Sequence, residues 1–106
     1  MPPIFLAVRG RYILSVSKSV QGLEFIVAIT GTPTFELLAG MEDFDLNQAD
    51  QEDGTYKVLI STDVAASSFS GAFARIYGPA TAGAISGVVG SDIDGVGITG
   101  VSVTVS

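Results

Sequence analysis

Carboxylates dominate the chemistry this chain can offer: it carries 11 Asp and Glu against 5 Lys and Arg, with no His and no Cys. Paired carboxylates can divide general-acid and general-base work between them, and clustered ones can hold a hard cation such as Ca²⁺. Without His, no Ser-His or Cys-His nucleophile pair can be built, and the usual general base near neutral pH is missing. A catalytic carboxylic acid also needs burial to raise its pKa, and these acids lie in polar, Gly-rich stretches that read as solvated. The expectation is a protein that is not an enzyme.

Two stretches could hold calcium. Residues 42–53 contain Glu42, Asp43, Asp45, Asp50, Glu52 and Asp53, but no EF-hand register fits: starting from Asp45, Ala49 falls on a ligand position and Asp50 on the required glycine. A solvated loop that covers a sheet edge is the plainer reading of such a charge run. Ser91-Asp-Ile-Asp-Gly95 makes Asp92 and Asp94 the candidate calcium ligands, although Gly90 and Val101 stand where the first and twelfth ligands belong. Asp-Gly is also a common turn dipeptide, and a turn is the reading preferred here. Apart from this calcium candidate, no cofactor is expected.

Glycines gather late in the chain, at Gly78, Gly83, Gly87, Gly90, Gly95, Gly97 and Gly100, with no Gly-Lys-Ser/Thr and no strand-then-helix context for a phosphate cradle. Tight turns and close backbone approaches explain them better. A net charge of −6 opposes phosphate backbones and anionic membrane surfaces, so neither nucleic acid nor membrane is an expected partner. The longest apolar runs, such as residues 25–29, fall far short of the roughly 20 residues of a membrane span. The first residues lack a basic n-region and a long apolar h-region, so export by the general secretory route is not expected.

The elements that must position these groups are strands. Val101-Ser-Val-Thr-Val-Ser106 alternates strictly between apolar and polar, which describes a half-buried strand. Residues 4–8 and 11–17 read as two strands around Arg9-Gly10, or as one bent there; residues 17–22 read as a turn or loop. Leu23, Phe25, Val27 and Ile29 share one face of the best central strand, which Gly31-Thr-Pro33 ends. Residues 34–39 are too few to separate strand from helical turn, and residues 41–54 read as the longest surface excursion.

Further strands are expected at residues 55–62, 71–77, a shorter one at 84–89, and 96–106, the last with a bulge at Gly100 where the apolar positions change parity. Most aromatic residues fall in apolar strands and read as core, while Tyr56 and Tyr77 lie near strand ends, where they could line a sugar or peptide groove. No segment has the length and period of a crossover helix. The fold class is therefore all-β: residues 1–106 form a single antiparallel β-sandwich, jelly-roll or Ig-like, of about seven to nine strands.

Val20-Gln-Gly-Leu-Glu-Phe25, Gly54-Thr-Tyr-Lys-Val-Leu-Ile-Ser61, Ser70-Gly-Ala-Phe-Ala-Arg-Ile76 and Ser91-Asp-Ile-Asp-Gly95 before an alternating strand resemble the cohesin-type β-sandwich, a jelly-roll related to some carbohydrate-binding modules. The resemblance covers about residues 20–106. It implies a non-catalytic protein-binding scaffold, as cohesins hold dockerins.

An acidic composition rich in Gly, Ser, Thr and Val, without an evident export signal, fits a virion protein assembled in a host cytoplasm. The leading expectation is a structural protein on a virion surface, a capsid decoration or other phage structural protein, binding itself or a capsid lattice in many copies. Ile4, Phe5 and Leu6, behind Pro2-Pro3, are the candidate interface: an arm that adds to a neighbour's sheet, unless they simply begin the domain's own first strand. A cohesin-like module of a secreted scaffold, or a carbohydrate-binding module, both extracellular, are the alternatives.

Overall fold

The computed structural model describes residues 10–106. Two antiparallel sheets face each other across an apolar core, and no helix occurs among the described residues. The strands are β1 (Gly10–Val20), β2 (Gly22–Gly31), β3 (Thr34–Leu37), β4 (Asp45–Asp50), β5 (Thr55–Ser61), β6 (Phe69–Gly78), β7 (Ala80–Ser91), β8 (Gly97–Ile98) and β9 (Val103–Val105). One sheet has the order β3-β6-β1-β9 and the other β4-β5-β2-β7-β8. The expected all-β sandwich is the observed architecture.

The pairing is nested. β4 pairs with β5, β3 with β6, β2 with β7 and β1 with β9, as if one long hairpin had been rolled up across two sheets. This is the jelly-roll arrangement of the two anticipated. Only β4–β5 and β7–β8 are hairpins within one sheet; every other connection crosses from one sheet to the other.

The core follows from period-two burial. On β2, Leu23, Phe25, Val27 and Ile29 are buried while Glu24, Ile26 and Ala28 are only half so. Leu14, Val16 and Val20 of β1, Val58 and Ile60 of β5, and Phe73, Ala74 and Ile76 of β6 complete the centre. Each large apolar side chain removed from water contributes about 1.5–3 kcal/mol. Phe44, Phe69, Phe73 and Phe25 form a relay of ring contacts, with successive centroids 4.9, 5.3 and 6.1 Å apart. Tilted and edge-on pairs of this kind add about 0.5–1.5 kcal/mol each.

The structure corrects several boundaries. β1 runs on to Val20, and the chain crosses to β2 at Gln21 alone instead of through a loop over residues 17–22. Gln21 can do this because its side chain staples the corner: Nε2 donates to the carbonyls of Ala65 (2.7 Å) and Ser67 (3.1 Å), and Oε1 accepts from the Ile93 amide (2.9 Å). The ambiguous residues 34–39 contain a strand, β3. The acidic residues 41–54 are not one loop, because Asp45–Asp50 pairs along β5 as an edge strand whose exposed positions are polar. Met41 and Phe44 plug its start into the core.

β7 is twice the expected length. It has 12 residues against 10 in β2, and two register shifts along that pairing absorb the difference as bulges. The closing segment is not one bulged strand. Gly97–Ile98 pairs with β7 in one sheet, Gly100 turns the chain at φ +75°, and Val103–Val105 joins β1 in the other. Reciprocal hydrogen bonds between Ile13 and Ser106, 2.9 and 3.0 Å, extend that pairing.

Candidate interaction surfaces

The Asp92 carboxylate is engaged by its own turn. Oδ1 accepts from the Asp94 amide at 2.9 Å and the Val96 amide at 3.0 Å. The Gly95 amide donates to the Asp92 carbonyl, and the Asp92 amide to the Val96 carbonyl, with Gly95 at φ +82°. That is a three-residue hairpin loop, a type I turn followed by a left-handed glycine. Asp94 lies exposed in the same turn. The acids of the earlier stretch are used similarly: Glu42 Oε2 accepts from the Gly40 amide, Asp43 Oδ2 from the Ser67 hydroxyl, Asp50 Oδ1 from the Glu52 amide and Asp53 Oδ1 from the Thr55 amide. Among the described residues, no three Asp or Glu converge as a metal-holding group.

The outer face of the four-stranded sheet carries the most concentrated polar chemistry. Glu36 on β3 sits opposite Arg75 on β6 and forms an ion pair with it; Arg75 lies 5.7 Å from the ring centre of Tyr77, which is opposite Arg11 on β1. These four side chains line a shallow pocket of about 220 Å³. All are partly solvated, so the pair is worth about 0.2–1 kcal/mol and orders the face more than it stabilises the fold. Tyr56 does not share this surface. It faces the core on β5, 5.7 Å from Phe35, so Tyr56 and Tyr77 do not line one groove.

On the outer face of the five-stranded sheet, Lys57 and Glu24 are 3.6 Å apart among small and apolar neighbours. Leu59 and Val89, both exposed, flank Glu24 on its two sides. An open pocket of about 290 Å³ lies between β4 and β5 beside them. A third, of about 320 Å³, opens between Ser19, Gly40, Met41 and Ser70 at one end of the sandwich.

The fourth surface is an edge, and the sequence reading missed it. β7 pairs with β2 along one side, but on the other side β8 reaches only Gly90 and Ser91. From Ala80 to Val89, no described strand occupies that side. The chain has no charged residue between Arg75 and Asp92, so this edge is built from Ala, Gly, Ser, Thr, Ile and Val. The inward residues Ala82, Ile85 and Val88 are only partly buried, whereas Val27 and Ile29 opposite on β2 are buried. The charge-free run was the available signal, but its small residues hid the strand. The expected interface residues Ile4, Phe5 and Leu6 lie outside the described residues.

Compared with protein families, with curated proteins and with solved structures, the chain matches none.

Proposed function

We propose that the protein is a non-enzymatic structural protein that assembles with copies of itself, as a virion surface protein does on a capsid lattice. One observation carries this reading: the uncharged side of β7 from Ala80 to Val89, which no other described strand pairs. Proteins that work as monomers commonly guard such edges with charge, proline or very short strands. Many weak, symmetric strand contacts suit a lattice, where multivalency multiplies modest affinities. Residues 4–6, bulky and uncharged, are the proposed contact arm. The setting would be a virion assembled in a host cytoplasm.

The nested jelly-roll keeps a second reading, a cohesin-like protein-binding module or a carbohydrate-binding module of an extracellular protein. For sugar binding the surface offers Tyr77 as the outward aromatic among the described strands, whereas a sugar platform calls for a row of rings. Light scattering during size-exclusion chromatography separates the readings. The chain Met1–Ser106 should elute as a symmetric oligomer, insensitive to EDTA, and a version lacking residues 1–6 as a monomer. A monomer in both cases would overturn assembly and favour a ligand-binding module.

A further inference from the structure

The acceptor surface that such an arm requires is set out by three features of the five-stranded sheet. β7 leaves a row of backbone donors and acceptors without a strand partner among the described residues from Ala80 to Val89. Its side chains carry no charge, so an incoming apolar strand would desolvate none. Beneath it the core is thin: Ala82, Ile85 and Val88 point inward yet stay partly exposed. An added strand would need alternating apolar residues on one face to cover them.

Residues 4–8 have that pattern, with Ile4, Leu6 and Val8 on one face and Phe5 and Ala7 on the other. Their length is bounded on both sides. Pro2 and Pro3 cannot donate to a ladder, and Arg9 is the only residue left before β1 begins at Gly10. Five extended residues span about 17 Å. The two bulges in β7 space Ala82, Ile85 and Val88 three residues apart, so five donor residues of period two can face all three. Gly10 pairs with Gly78, two residues before Ala80, so β1 begins at the end of the sandwich where the open edge starts.

We infer that the open side of β7 accepts residues 4–8 of a second copy as an added antiparallel strand, with Val8, Leu6 and Ile4 in turn closing the core over Ala82, Ile85 and Val88. That the donor is another copy rests on the assembly reading above. The acceptor edge rests on its own geometry. Each copy then gives one strand and receives one, a head-to-tail contact that closes into a ring or extends across a lattice.

The absence of cysteine makes the test clean. Phe5→Cys is made in one protein and Ala84→Cys in another, both full length; a third protein carries Ala49→Cys on the β4 edge. Ala84 and Ala49 are both exposed, so neither change disturbs the core. The proteins are mixed in pairs and treated with a short bis-maleimide, and a fourth protein with both Phe5→Cys and Ala84→Cys is treated alone at high dilution. The expected result is a covalent heterodimer from the 5/84 mixture, at least tenfold more abundant than from the 5/49 mixture. A link found only inside the double variant, which stays monomeric, would mean that the edge takes its own chain's segment and would overturn both the exchange and the assembly reading. Oligomers by light scattering with no 5–84 link in any protein would overturn the acceptor edge and leave assembly standing. Monomers with no link would overturn both.

Discussion

β4 and β7 run along opposite sides of the same five-stranded sheet, and they treat the solvent differently. Asp45–Asp50 opens and closes with aspartate, is flanked by Glu42, Asp43, Glu52 and Asp53, and pairs fully along β5. A second copy approaching it would bring like charges together, which cross-strand pairing penalises. Ala80–Ser91 has neither charge nor proline, and its bulges are the only blunting device it carries. The chain's acidity is not spread evenly. It shields one edge and leaves the other apolar, so a net charge of −6 coexists with a surface suited to association.

The largest effect is expected at the foot of β7, where Gly31 faces Ala80. A Cβ on Gly31 would come within 2.2 Å of the Pro79 carbonyl oxygen, and its φ of +96° suits glycine. Gly31→Ala should cost about 3 kcal/mol in urea denaturation, from overpacking against backbone and left-handed strain. The same test on Gly54, φ +90° with nothing near, should cost less, about 1–2 kcal/mol.

Charging the open edge comes next. Ala84→Lys with Ser86→Lys should weaken self-association at least tenfold by sedimentation, about 1.4 kcal/mol, and leave the unfolding free energy within about 0.5 kcal/mol of the parent. Asn47→Lys with Ala49→Lys on β4 should leave association unchanged. The smallest effect sharpens the role of the acids: Asp50→Ala removes the acceptor for the Glu52 amide and should cost about 1 kcal/mol of stability, without loss of association.

Much of this layout was legible in the chain. Wherever one face of a strand meets the core and the other meets water, large apolar residues alternate, and β2, β5 and β9 could be read directly from Leu23 to Ile29, Tyr56 to Ile60 and Val101 to Val105. β4 was hidden because an edge strand hydrogen-bonds through its backbone while Asn47, Gln48 and Ala49 stay in water, so its side chains look like those of a loop. β7 was foreshortened because Ala, Gly and Thr give no contrast between faces. The change of sheet at Gly100 mimicked a bulge, since both reverse the facing of the residues that follow. Residues 4–6 stood out by composition alone. The unpaired side of β7 did not, because it is a property of pairings distant in sequence, such as Gly31 with Ala80.

β7 and β4 should differ in use as well as in chemistry, and amide hydrogen exchange reads both edges in one experiment. In the assembled full-length protein, amides of residues 80–86 should exchange at least tenfold more slowly than in the version lacking residues 1–6, while Asp45–Asp50 exchanges alike in both. Equal exchange of residues 80–86 in the two proteins, or protection that moves to Asp45–Asp50, would contradict the account.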